Sequence, residues 1–129
     1  MNIEHVALWT ADIEQLKTFY ERYFFATSNN KYTNSQKGFS SYFLSFDSGA
    51  RLEIMQQEGI SSRPGDETKQ RLGYAHLAMA LGSRGSVDVL TKKLKADGYR
   101  ILDGPRTTGD GYYESVVLDP AGNRIELTV

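Results

Sequence analysis

Apolar and polar residues alternate through "IEHVALWT" (3–10), the two-residue period of a strand with one buried face. The period then changes. Ile13, Leu16, Tyr20, Tyr23 and Phe24 recur at helical spacing and predict a helix from Asp12 to Phe24. Asp12 is its natural N-cap, with Gln15 three residues on. Three strands are expected next, over 26–32, 41–47 and 51–56, with "DSGA" (47–50) turning the chain between the last two. A polar stretch from Gln57 to Gly73, holding Pro64, Gly65 and Gly73, reads as a linker. The order then restarts. "YAHLAMAL" (74–81) reads as a strand. A helix is expected from Ser86 to Asp97, with Ser86 as cap, Val87, Leu90 and Leu94 as its apolar face, and Gly98 as a left-handed stop. Strands over 100–102, 113–119 and 123–129 follow, the last two joined by the turn "DPAGN" (119–123).

Each half is thus strand, helix, strand, strand, strand. The two histidines, His5 and His76, lie 71 positions apart, and Glu53 and Glu126 lie 73 apart. A sheet with one helix leaves its second face uncovered, so two such modules must pack, within a chain or between chains. The expected architecture is α+β: one domain over 1–129, made of two βαβββ modules (about 1–56 and 74–129) joined by the linker 57–73.

Composition narrows the chemistry. Of 129 residues, 40% are hydrophobic, enough for a core. Fifteen basic residues nearly balance 16 acidic ones, which gives no electrostatic case for nucleic acid or an anionic membrane. No apolar run approaches a membrane span, and the N-terminus lacks the pattern of a signal peptide, so a cytoplasmic location is expected. The chain has no cysteine, which excludes disulfides, thiolate metal sites and a cysteine nucleophile. His5 and His76 are the only imidazoles.

The pattern Arg, aliphatic, Glu, aliphatic occurs twice, in "RLEIMQ" (51–56) and "RIELTV" (124–129). Singly, either histidine is an ordinary strand residue and either glutamate a solvated partner of the arginine beside it. Their recurrence in the same order, with Ala7 and Ala78 leaving room beside each ring, favours a shared purpose. Two imidazoles and two carboxylates suit a divalent zinc, nickel, cobalt or manganese ion, with positions left for water or substrate.

In "IEHVALWTADIEQLKTFY" (3–20), "GYAHLAMAL" (73–81) and "LDPAGNRIEL" (118–127), and over its whole length, the chain resembles the vicinal oxygen chelate superfamily. Members of that superfamily include glyoxalase I, extradiol dioxygenases, fosfomycin-resistance enzymes, methylmalonyl-CoA epimerase and bleomycin-binding proteins. The resemblance implies paired half-barrels around a metal, with His5, Glu53, His76 and Glu126 as ligands. The complete His, Glu, His, Glu set is similar to that of bacterial glyoxalase I. It implies a lactoylglutathione lyase-like isomerase acting on a hemithioacetal through an enediolate, with glutathione as co-substrate. Glu126 is the first candidate base and Glu53 the second. A homodimer with a small-molecule substrate is also implied.

One position departs from the pattern. Where glyoxalase I has an arginine four residues after the first histidine, for a glutathione carboxylate, this chain has Trp9. A flat apolar ring cannot replace a bidentate guanidinium. Arg106, in "GPRTTGDGYYES" (104–115), is an alternative anion contact or an ordinary surface arginine. Trp9, Tyr42, Tyr112 and Tyr113 are candidate pocket residues, each with a core or rim alternative. Two other functions stay open: the same metal centre acting on a small oxygenated substrate without glutathione, and a drug- or metabolite-binding dimer without chemistry.

Overall fold

The computed structural model describes residues 1–62 and 65–129. The chain forms two compact units, Met1–Pro64 and Gly65–Val129. Pro64, expected in the linker, lies outside the described residues.

The first unit runs β1 (His5–Trp9), α1 (Ile13–Phe24), β2 (Thr27–Ser28), β3 (Tyr32–Asn34), β4 (Phe39–Ser45) and β5 (Arg51–Gln57). Its sheet has the order β1-β5-β4-β2, with β3 also on β4. β1 and β5 pair in parallel, with Ala7 opposite Glu53. Asp12 caps α1 by accepting from the Gln15 N–H at 3.0 Å. The helix buries Ile13, Leu16, Phe19, Tyr20, Tyr23 and Phe24. Opposite them, Tyr42, Leu44, Leu52 and Ile54 are buried as well. Each large apolar side chain so covered stabilises the unit by roughly 1.5–3 kcal/mol. The strand expected over 26–32 is broken in two. Between its parts, the Asn29 side chain accepts from the Phe43 N–H at 2.8 Å while the Asn29 N–H donates to the Phe43 carbonyl at 3.1 Å.

The second unit runs β6 (Leu77–Ala80), α2 (Arg84–Ala96), β7 (Ile101–Thr107), β8 (Tyr113–Leu118) and β9 (Arg124–Thr128), with sheet order β6-β9-β8-β7. β6 and β9 are parallel, with Ala78 opposite Glu126. His76 therefore precedes its strand, where the sequence pattern places it inside. The α2 cap is Ser83, three residues before the expected Ser86; its hydroxyl accepts from the Ser86 N–H at 3.1 Å. Its buried face is Val87, Thr91 and Leu94, with Leu90 only half-buried. Thr91 is accommodated because its hydroxyl donates to the Val87 carbonyl at 2.6 Å and meets Ser115 Oγ at 2.6 Å. Gly98 stops the helix at φ +92°, as expected.

β7 is longer than expected because two register shifts let it follow β8 through Asp103 to Arg106. Gly104 sits at that bend with φ +77°. A Cβ there would lie 2.5 Å from the Glu114 carbonyl oxygen and 2.9 Å from Ser115 Cα, so only glycine fits. Among the described residues, no helix is long and apolar enough to cross a membrane.

Candidate metal centre

In each unit the sheet has one face under its helix and one open face. In the first unit, the register puts His5, Ala7 and Trp9 on the open face with Arg51, Glu53, Met55, Phe39 and Phe43. Here His5 Nε2 lies 3.7 Å from Glu53 Oε2. The ring packs edge-on against Phe43, with centroids 5.3 Å apart. Its other nitrogen, Nδ1, contacts the Glu4 carboxylate, which also takes the Arg51 guanidinium. With the ring proton on Nδ1, facing Glu4, Nε2 would be left to serve as a metal ligand beside Glu53. These two contacts, with His5 first and Arg51 second, hold the Glu4 carboxyl below its usual range.

In the second unit, His76 Nε2 lies 3.3 Å from Glu126 Oε2. Val116 is opposite Glu126 and Glu114 opposite Thr128, on the same open face. His76, Glu114, Val116 and Glu126 line a cleft of about 580 Å³ with Arg100, Asp103, Arg106 and Arg124. Burial, followed by the charge of Glu126, pushes the Glu114 carboxyl above its usual value.

Both pairs suit a metal. Ligands at right angles on bonds of roughly 2.1 Å lie about 3 Å apart, close to both separations. The four carboxylate and imidazole side chains are roughly 60–80% covered yet reachable by solvent. Each unit contributes two donors: among the described residues, no group of three or more His, Asp or Glu is gathered as a metal site.

Residues 2–127 match the model of the Glyoxalase/Bleomycin resistance protein/Dioxygenase superfamily. The chain belongs to this superfamily. A Bacillus subtilis relative, the uncharacterised protein YqjT, is 30% identical over 128 residues, covering 97% of this chain and 96% of its own. The trypanothione-dependent glyoxalase I of Leishmania major has the same fold, with a TM-score of 0.76 at 21% identity; the match covers 99% of this chain and 86% of that one. A glyoxylase/bleomycin resistance protein/dioxygenase domain from Frankia reaches a TM-score of 0.81 at 18% identity, over 100% of this chain and 97% of its own. The two βαβββ modules are those of this superfamily.

The remaining candidate residues divide by sheet face. Trp9 stands on the open face with His5, 42% exposed and edge-on to Phe39 at 6.2 Å. Arg106 lines the second unit's cleft, its Nε donating to Asp103 at 2.7 Å. Tyr42 is instead opposite Ile54, on the helix side, where its hydroxyl donates to Glu14 at 3.0 Å. Tyr113 likewise faces its helix and donates to Asp88 at 2.6 Å. Both tyrosines are thus turned from the open faces by strand alternation. Tyr112 is exposed on the loop before β8, where its backbone bonds to Thr108. Arg100, Glu114 and Arg124 were not singled out as cleft residues from the sequence. The alternation of Glu114 with Val116, and of Arg124 with Glu126, is the signal that finds the last two.

Proposed function

We propose that this chain is a metal-dependent lyase or isomerase of glyoxalase I type, with His5, Glu53, His76 and Glu126 as the ligands of one divalent ion. The observation that carries the reading is the recurrence of the same donor pair in both units, with an Nε2 within 3.7 Å and 3.3 Å of a carboxylate oxygen. A divalent ion bound there would polarise the substrate's adjacent oxygens and lower the cost of negative charge on them.

The chain's own residues supply the proton transfer. In the hemithioacetal of a 2-oxoaldehyde and glutathione, the Glu126 carboxylate takes the proton from the carbon that bears sulfur. It delivers a proton to the neighbouring carbonyl carbon, while the hydroxyl proton passes to the other oxygen. The product is a 2-hydroxy thioester, an isomer of the substrate, and no external oxidant is needed. Glu53 is the second candidate for this role. In this reading the chain works as a homodimer.

Trp9 favours a second reading, in which the same centre acts on a small oxygenated substrate without glutathione. Its exposed indole lies on the same face as His5 and offers apolar surface where a glutathione carboxylate needs a cation. Isomerisation of the methylglyoxal–glutathione hemithioacetal by protein stripped of metal and reloaded with nickel, cobalt, zinc or manganese tests the two. Turnover that depends on metal and is lost in Glu126→Gln supports the first reading. Metal retained without turnover supports the second.

A further inference from the structure

Glu4 has no counterpart in the second unit: at the repeat spacing of 71, its equivalent is Ala75. The consequence falls on an arginine. Arg51, two residues before Glu53, gives its guanidinium to Glu4 and stacks over Phe43 at 4.2 Å. Arg124, two residues before Glu126, donates to the carbonyl of Thr68. Among the described residues it forms no ion pair, and neither does Arg100, whose charge reaches Asp66. Both line the cleft that holds His76 and Glu126, beside the polar side chains of Thr68 and Gln70. The third cation of the cleft, Arg106, is already engaged by Asp103 at 2.7 Å. Asp103, Glu114 and Glu126 line the same cleft, yet neither the Arg124 nor the Arg100 guanidinium is paired with any of them, so the two together can receive a carboxylate from a ligand.

We propose that Arg124, with Arg100 beside it, binds a carboxylate carried by the substrate. The substrate class is then a compound with two adjacent oxygens at one end and a carboxylate at the other. Residues two apart on one strand face sit roughly 7 Å apart, which sets the separation between the two ends at about two or three carbon atoms. The anion site lies in the second unit, whereas the superfamily's glyoxalase pattern puts a cation at the position of Trp9. The inference rests on the metal reading only for the oxygen end of the substrate.

Two five-carbon acids separate the contributions. 2-Oxoglutarate and 2-oxopentanoate share their adjacent oxygens, and only the first has a distal carboxylate. In calorimetric titrations of zinc-loaded protein at low salt, wild type is expected to bind 2-oxoglutarate at least about tenfold more tightly, the loss of one charge-assisted contact. That preference should fall to near unity in Arg124→Gln and decrease in Arg100→Gln. Equal affinity for the two acids in wild type, or a preference intact in both variants, overturns the proposal. Metal content is measured separately. If the protein holds no zinc, the metal reading fails, and succinate, which needs no metal, becomes the probe. Tighter succinate binding by wild type than by Arg124→Gln then upholds the anion site, and equal binding removes it.

Discussion

In the first unit one carboxylate, Glu4, holds both His5 and Arg51; in the second, Ala75 stands at the equivalent position, and His76 and Arg124 have other surroundings. The open faces differ accordingly. That of the first unit is aromatic: Trp9 and Tyr32 both pack on Phe39, at 6.2 and 6.0 Å, and Phe43 lies against His5. The second is charged, with Arg100, Arg106, Arg124, Asp103 and Glu114 around His76 and Glu126. The helix sides stay alike. Tyr42 and Tyr113, again 71 positions apart, each bond a carboxylate on their own unit's helix, Glu14 and Asp88. Each ring also lies near a cation, Lys17 at 5.0 Å in one and Arg84 at 5.0 Å in the other. The duplicated plan thus keeps a strand–helix latch and one donor pair per unit, while the residues around the pair diverge. Packing constrains the covered face, and the open face is left to function.

The largest test of this comparison is removal of a donor. His76→Ala is expected to weaken metal binding by about a hundredfold or more with the fold retained, and His5→Ala to do the same. Competition titration against a chromophoric chelator, with circular dichroism as the check on folding, reads both. Unchanged affinity in both variants would remove the shared metal centre. Next in size, Gly104→Ala should destabilise the chain by about 2 kcal/mol or more, because its left-handed φ and the close approach of the Glu114 and Ser115 backbone leave no room for a methyl group. Urea unfolding measures it, and a midpoint equal to wild type would contradict the close approach.

The comparison can also be sharpened by making the units alike. Ala75→Glu places a carboxylate where Glu4 stands in the first unit. It should engage Arg124 and abolish the roughly tenfold preference for 2-oxoglutarate over 2-oxopentanoate. A preference that survives the substitution would mean that Arg124 is not the receptor. In the other direction, Glu4→Ala should weaken metal binding about tenfold, by releasing the ring nitrogen that orients His5.

The smallest effect concerns the latch. The hydrogen bond from Lys31, and after it that from Tyr42, holds the Glu14 carboxyl below its usual 4.5 despite the opposing cost of burial. A depressed folded pKa stabilises the native state above the unfolded value and ceases to do so as pH falls through the folded one. Glu14→Gln should therefore lower the urea midpoint at pH 7, and the gap from wild type should close progressively below pH 4.5. A gap independent of pH would assign the effect to packing instead of charge.

By itself the sequence determined the βαβββ repeat, the α1 cap at Asp12, the left-handed stop at Gly98 and the two Arg-aliphatic-Glu strands. Hydrophobic period, cap and turn residues act over a few positions, so they can be read locally. The α2 cap was less legible: the sequence pattern points to Ser86, whereas Ser83 fills the role, because the geometry of the first turn decides. In a strand with apolar residues on both faces, such as β4, the tertiary structure alone decided which face meets the helix. Tyr42 and Phe43 are neighbours in sequence, yet pairing of β4 with β5 sends one to Glu14 and the other to His5. A shift of one residue in that register would exchange them. The same holds for the contacts of Glu4 with Arg51, Glu114 with Glu126 and Arg124 with Thr68, whose partners come from another strand or from the segment before β6. Spacing along the chain carries no information about which of them meet, because cross-strand register and the bulges of β7 set those distances.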